Sequence, residues 1–354
     1  MMRFIEAEKI PELLASLTAG GHEVWAPQEA RDTGGAVLFD TIGGTGVLSL
    51  DRLTTLSAKH LLLPGTEKLF SFRYALTADG ERVELRHEEP QPEKTVLFGA
   101  RACDARAITI LDALFSPRQA SAKTYNDPHY RARRENITVI TLACVTCDAA
   151  CFCSSFPNGS AEKSGSDVFM YPVEDGFLAE AITGKGGEIT AGPLFEDSEL
   201  EPPPLAETAR VDLAGLKGGL MEIFADMDFW SRATEKCLSC GYCTYSCPAC
   251  YCFNITDEMR SDREGERLRS WDSCMFHLYT QETSGHNPRP APAHRFRNRV
   301  NHKFSYYPAN QGEILCTGCG RCVRGCPAGL DIREVLEAAR ARAAEKSASR
   351  EVPK

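Results

Sequence analysis

The sequence predicts an α+β protein, with an N-terminal α/β layered domain followed by a mostly helical domain. Three observations carry that expectation. Compact apolar runs alternate with helix-like stretches between residues 95 and 182, the pattern of strands and helices layered on each other. An acidic stretch over 193–208 contains Glu201-Pro202-Pro203-Pro204, and successive prolines stiffen a connection and exclude regular structure. Beyond it lie two cysteine runs of the same spacing, 68 residues apart (248 to 315). The expected domains are therefore 1–200 and 213–354, with 201–212 as a proline-rich linker.

Taken in order, Ile10 to Leu17 reads as a short helix ended by Gly20-Gly21. His22 to Ala26, Ala36 to Phe39 and Val47 to Leu50 read as strands between glycine-rich turns. Gly43-Gly44-Thr45-Gly46 lacks both the phosphate-loop lysine and the dinucleotide spacing, so it reads as a plain turn. Thr95 to Gly99 is a strand leading through Cys103-Asp104 into a helix, Ala105 to Phe115, with Ile108, Leu111 and Phe115 on one face. Ile137 to Ala143 is a strand running into Cys144, Asp167 to Tyr171 is another, and Gly176 to Ile182 is read as a helix. After the linker, Leu213 to Lys236 reads as one helix delivering Cys237. Asp331 caps a last helix through about Lys346, with Ile332, Val335, Leu336 and Ala339 inward, and Ser347 to Lys354 is expected to fray.

The cysteine runs are Cys237-x2-Cys240-x2-Cys243-x3-Cys247-Pro248 and Cys316-x2-Cys319-x2-Cys322-x3-Cys326-Pro327. In bacterial two-cluster ferredoxins of this spacing the fourth cysteine ligates the other cluster. The expected ligands are Cys237, Cys240, Cys243 and Cys326 for one [4Fe-4S] cluster, and Cys316, Cys319, Cys322 and Cys247 for the second. The long insert favours a helical, dicluster ferredoxin arrangement over the compact bacterial one. The chemistry implied is single-electron transfer.

Eight of the sixteen cysteines remain. Cys144-x2-Cys147-x3-Cys151-x-Cys153, with Cys103 closing the neighbouring strand, offers five thiols for one four-ligand site. A third [4Fe-4S] cluster on Cys103, Cys144, Cys151 and Cys153 is the preferred reading, with Cys147 spare, and a structural zinc is the alternative. Cys250, Cys252 and Cys274 form a further metal site, completed by His277 or His286, or else Cys250 and Cys252 shield the neighbouring cluster and Cys274 is a core residue. The run holding Arg289, His294, Arg295, Arg297, Arg299, His302 and Lys303 suits either cations near anionic clusters or a solvated face.

Composition sets the remaining bounds. A net charge of −9 over 354 residues argues against a nucleic-acid partner. No apolar run reaches the roughly 18 residues of a membrane span, and acidic residues stand where a signal peptide needs an apolar core. A cytoplasmic protein is expected, and in a reducing compartment closely spaced cysteines point to metal rather than disulfides. No haem-attachment, zinc-protease, nucleophile-elbow or complete dinucleotide motif occurs.

With these residues in view, the chain resembles the iron–sulfur electron-transfer subunit of anaerobic sulfite reductase and the β subunit of cytoplasmic sulfhydrogenases, which belong to one family. The resemblance spans about Phe98 to Leu330. It rests on Phe98-Gly-Ala-Arg-Ala-Cys103-Asp104, Leu142-Ala-Cys144 with Cys151-Phe-Cys153, Cys237 to Phe253, Trp271-Asp-Ser-Cys274, Ser284-Gly-His286, and Cys316 to Cys326. It implies an electron-transfer protein standing between a flavin subunit that oxidises NAD(P)H and a catalytic subunit carrying sirohaem or a nickel–iron site. Two other classes stay open. One is a reductase whose N-terminal cluster binds substrate, and the other is a zinc-bearing scaffold.

Overall fold

A computed structural model describes residues 2–30, 34–44, 46–78, 80–87, 90–117 and 125–351. The architecture is α+β, rich in sheet in the N-terminal region and in helix in the C-terminal region. Strands β1 (Met2–Glu6), β2 (Glu23–Glu29), β3 (Val37–Thr41) and β4 (Val47–Leu48) open the chain, with α1 (Ile10–Ala19) between the first two. Two long strands follow, β5 (Thr66–Thr77) and β6 (Gly80–Arg86). Next come β7 (Thr95–Arg101), α2 (Ala102–Phe115), α3 (Pro128–Asn136), β8 (Ile137–Leu142), β9 (Val168–Val173), β10 (Gly176–Ala181), α4 (Gly184–Thr190) and β11 (Glu196–Ser198). Of the glycine-rich turn at 43–46, Thr45 lies outside the described residues.

The main sheet has the order β11-β1-β10-β9-β8-β7-β2-β3, with β4 also on β2. Its centre, β2-β7-β8-β9, is parallel. Nearly every residue of β7 and β8 is buried, as a parallel strand covered on both faces requires. One apolar cluster joins α1 to the sheet through Ile5, Ile10, Leu13, Val96 and Ile140. Another places Ile108, Leu111 and Phe115 of α2 against Leu97 and Val139, the helix face expected from the sequence. Because β7 and β8 are parallel, Cys103 and Cys144 leave the sheet at the same, C-terminal edge, where open α/β sheets carry their sites.

The stretch from Gly176 is a strand, not a helix. β9 and β10 form a hairpin in which Gly176 faces Val173 across Glu174-Asp175, and Asp175 has φ 62°. The two-residue loop Glu174-Asp175, with Asp175 in the left-handed region that Asp tolerates, closes the hairpin. It outweighed the helix propensity of Leu178-Ala179-Glu180-Ala181. β10 also pairs with β1, so tertiary pairing completes the override.

Beyond β11 the chain runs without regular structure to α5 (Leu216–Glu222), followed by α6 (Met227–Ala233) and α7 (Tyr242–Tyr245). The single helix expected over 213–236 is broken in two, because the Asp226 carboxylate caps α6 by accepting the Phe229 N–H at 3.2 Å. The 68-residue insert holds a hairpin, β12 (Phe253–Met259) and β13 (Glu264–Trp271), then α8 (Pro292–Asn301), a π-helical turn at His302–Tyr306 and α9 (Tyr307–Gln311). Last come α10 (Arg321–Arg324) and α11 (Ile332–Glu351), the latter continuing past the expected end at Lys346, while residues 352–354 lie outside the described ones.

The hairpin adds to β5 and β6 in a second sheet, β12-β13-β5-β6. N-terminal and insert strands thus share one sheet. Buried Glu67 on β5 ties it down by accepting from Arg269 of β13 and Arg133 of α3, both within 2.7 Å. Every residue of β6 and β12 is exposed, so neither strand shows the alternation of buried and exposed positions by which a half-buried strand is read from sequence.

Candidate metal centres

The two cysteine runs adopt the same backbone. Ser239 and Gly318 stand at equivalent positions with φ 55° and 68°, and Gly241 and Gly320 with φ 78° and 69°. Each positive-φ pair is followed by a one-turn helix, α7 or α10, that carries the third cysteine. The loops also point N–H groups at sulfur, Ser239 N–H onto Cys237 Sγ at 3.4 Å and Leu330 N–H onto Cys326 Sγ at 3.3 Å.

One cavity is lined by Cys237, Cys240 and Cys243 of the first run together with Cys322 and Cys326 of the second. Met275, Phe296, Leu330 and Ile332 supply its apolar wall. Cys247 does not line it. That thiol is buried beside Cys319 and Cys250, and Lys303 Nζ donates to Cys247 Sγ at 3.3 Å and to the Leu315 carbonyl at 2.7 Å. Cys326 thus shares a cavity with the first run, and Cys247 lies near Cys319 of the second as well as Cys250.

Three cations spaced by four residues, Arg295, Arg299 and Lys303, are all buried to 3 % exposure or less. They share the inward side of α8 and its π-helical continuation, which resolves the basic run into inward and outward members. Arg297 instead stacks on Phe224, 3.8 Å from the ring centroid. Arg299 donates to the Cys243 carbonyl at 2.8 Å and lies 3.5 Å from Cys250 Sγ. Among the described residues neither Arg299 nor Lys303 pairs with a carboxylate. Burial pulls the Lys303 ammonium down, but the thiols of Cys247, Cys250 and Cys316 outweigh it and hold the group charged, above its ordinary pKa. An uncompensated buried cation costs several kcal/mol, so these sulfurs suit an anionic, metal-bound state. As free thiols Cys243 and Cys322 resist ionisation. Burial pushes Cys243 up to about 11 and Cys322 up to about 12, with Arg299 opposing in each case. Iron has to displace those protons on binding.

The N-terminal thiols line a second, larger cavity of about 630 Å³. Cys103, Cys144, Cys147, Cys151 and Cys153 all face it, together with Cys319, Arg101 and Arg324. Cys147 is exposed at the rim, its sulfur 3.4 Å from the Glu207 carbonyl. The segment expected to be a plain linker closes this site. Ala206 N–H donates to the Cys144 carbonyl, and Thr208 is bonded both ways to Ser154.

This cavity abuts the second ferredoxin run. Phe152 N–H donates to the Gly318 carbonyl at 2.8 Å, and Cys151 Sγ lies 3.8 Å from the Cys319 carbonyl. A Cβ on Gly318 would stand 2.6 Å from Cys153 Cα, and one on Gly320 would stand 2.4 Å from the Ala150 carbonyl oxygen. Only glycine lets the two cysteine loops approach this closely in a left-handed conformation. Phe152 and Phe156 insert into the core of the helical region beside Trp230 and Phe296. Arg321, fully buried, donates to both oxygens of Asp104 at 2.7 and 2.9 Å and to Thr54.

Cys274 Sγ lies 3.6 Å from the Thr244 hydroxyl, and Arg299 reaches both that hydroxyl and Cys250 Sγ. Cys252 and Cys274 share a hydrogen bond that holds the Cys274 thiol down, to about 6. His277 and His286 are exposed, unlike Cys250 and Cys274. The structure instead brings Tyr279 beside Cys252, and Lys59 Nζ onto the Thr244 and Cys250 carbonyls at 2.8 and 3.1 Å. Among the described residues no three His, Cys, Asp or Glu side chains converge on one ion position.

Sequence reasoning missed Lys59, Arg321 and the lining segment 206–208. The first two are contacts across nearly two hundred residues or more, with no local signal. The inward cations did carry one, their spacing of four on a helix.

Three comparisons bear on these sites. Residues 236–330 match the family described as 4Fe-4S dicluster domain. Sulfhydrogenase 2 subunit beta of Pyrococcus furiosus is 31% identical over 357 aligned residues, covering 96% of this chain and 99% of that one. No solved structure matches.

Proposed function

The chain belongs to the sulfhydrogenase β-subunit family, and from that premise we propose a three-centre electron relay within an oxidoreductase complex. An iron–sulfur electron-transfer role is what the family and the dicluster match support. The finer reading concerns which residues hold which group. Cys237, Cys240, Cys243 and Cys326 would hold the first [4Fe-4S] cluster, and Cys316, Cys319, Cys322 and Cys247 the second. Cys103, Cys144, Cys151 and Cys153 would hold a third, with Cys147 left at the rim. Cys250, Cys252 and Cys274 are best read as a shell around the first two, and a fourth centre there would need a ligand other than His277 or His286. Clusters bound at these positions supply one-electron redox chemistry.

The observation that carries the relay is the glycine seam, which sets the Cys151–Cys153 loop directly on the Cys316–Cys322 loop. It supports the order third centre, second centre, first centre. Exposure supports it too. Among the described residues the two exposed cysteines, Cys147 and Cys240, belong to opposite ends, while Cys247, Cys316 and Cys319 in the middle are buried. Electrons would enter and leave at the two surface ends. The proposed partners are a flavin subunit oxidising NAD(P)H and a catalytic subunit of sirohaem or nickel–iron type, in the cytoplasm. No helix among the described residues is long and apolar enough to cross a membrane.

A second reading, reduction of substrate at the third centre, draws on the cavity of about 630 Å³ beside it. Anaerobic titration of the full chain with a reduced low-potential dye separates the two. A relay takes up about three electrons per chain, one for each cluster, and then stops. Sustained dye oxidation with sulfite or polysulfide present would establish the reductase reading instead.

A further inference from the structure

Buried cations are distributed unevenly over the three candidate centres. Lys303 is 2 % exposed, its ammonium 3.3 Å from Cys247 Sγ and 2.7 Å from the carbonyl of Leu315, the residue before Cys316. Both contacts belong to the second centre. Arg321 adds a further buried cation near Cys319 and Cys103, but Asp104 neutralises it within 2.9 Å. Around the first centre the cations are spent differently. Arg295 donates to the carbonyls of Met275, Arg289 and Pro290, Arg299 is shared between Cys243 and Cys250, and exposed Cys240 leaves that centre open to solvent screening. At the third centre Arg101 is held by the Leu50, Arg52 and Ala143 carbonyls, and the cavity is open.

A cluster gains one negative charge on reduction, so a fixed buried cation stabilises the reduced form more than the oxidised form. We propose that Lys303 makes the Cys247/Cys316/Cys319/Cys322 centre the highest-potential member of the relay, the one reduced first and holding an electron between the two outer centres. This rests on the ligand assignment above. Lys303 acts through Cys247 and is a positioning residue for charge, not a ligand.

The test is an EPR-monitored redox titration of the full chain and its Lys303→Met variant, with iron and acid-labile sulfide measured first. In Lys303→Met the reduced-to-oxidised ratio of the second centre at fixed potential falls by roughly tenfold or more, at least about 59 mV for a one-electron couple. The other two centres stay within a fraction of that, and Lys303→Arg stays near wild type. An unchanged midpoint, or an equal shift of every centre, overturns the proposal. Lys303→Gln, which keeps a donor without the charge, serves if the methionine variant does not retain iron. Loss of the second cluster from both neutral variants assigns Lys303 a structural role and also overturns the proposal. Absence of that cluster from the wild-type chain would instead overturn the ligand assignment.

Discussion

Cys247→Ala is expected to remove the same cluster as Cys319→Ala, although Cys247 lies in the other cysteine run. Each variant should lose about four irons and four sulfides and the same EPR component, whereas Cys240→Ala should lose a different one. The physical reason is the fold of the two runs. Their matched left-handed residues, Ser239 with Gly318 and Gly241 with Gly320, give the first three cysteines of each run the same loop backbone. The Cys-Pro turn then carries the fourth away. Cys326 reaches the cavity of Cys237, Cys240 and Cys243, and Cys247 is drawn toward Cys319 and held by Lys303, which also grips the residue before Cys316. A Cys247→Ala spectrum matching Cys240→Ala would show that the runs bind their clusters separately.

Arg321→Met should be the most destabilising substitution outside the cysteines. The ion pair with Asp104 is 0 % and 3 % exposed, and Arg321 also donates to the carbonyl and hydroxyl of Thr54. Its loss leaves a carboxylate buried at the start of α2, next to Cys103. Breaking a buried pair from one side costs about 3–5 kcal/mol. Replacing both partners, as Arg321→Met with Asp104→Leu, should recover much of that loss, because no unpaired charge is left behind. The measurement is the denaturant midpoint of the cluster-loaded chain, with cluster content followed in parallel. The third centre should bleach first, since Asp104 anchors its Cys103 arm. If the single variant unfolds like wild type, the pair carries no such load.

How much of this was legible in the sequence depends on whether the signal was local. The cysteine runs were readable because iron ligation imposes spacing on consecutive residues, and the strands into Cys103 and Cys144 because parallel central strands are apolar throughout. The α2 face at Ile108, Leu111 and Phe115 followed from helical period alone. Gly176 to Ile182 was misread because its residues favour helix while the Glu174-Asp175 turn and β1 pairing dictate strand. The β12–β13 hairpin was illegible for a different reason. It buries almost nothing of β12, and its partner strand β5 lies nearly two hundred residues away. The Gly318 and Gly320 seam also had no signature, since glycines in such loops are expected for turn geometry whether or not another backbone lies against them. In the basic run, the spacing of four that selects Arg295, Arg299 and Lys303 was present but unread.

Whether this chain holds three iron–sulfur centres and passes electrons between them is tested most directly by its metal content. Iron, zinc and acid-labile sulfide are measured in the anaerobically purified full chain, together with EPR of the fully reduced protein. Three four-iron clusters give about twelve irons and twelve sulfides per chain, with magnetic coupling among adjacent centres broadening the reduced spectrum. Eight irons with zinc in the N-terminal cavity would reduce the relay to the ferredoxin pair, and zinc without sulfide would contradict it altogether.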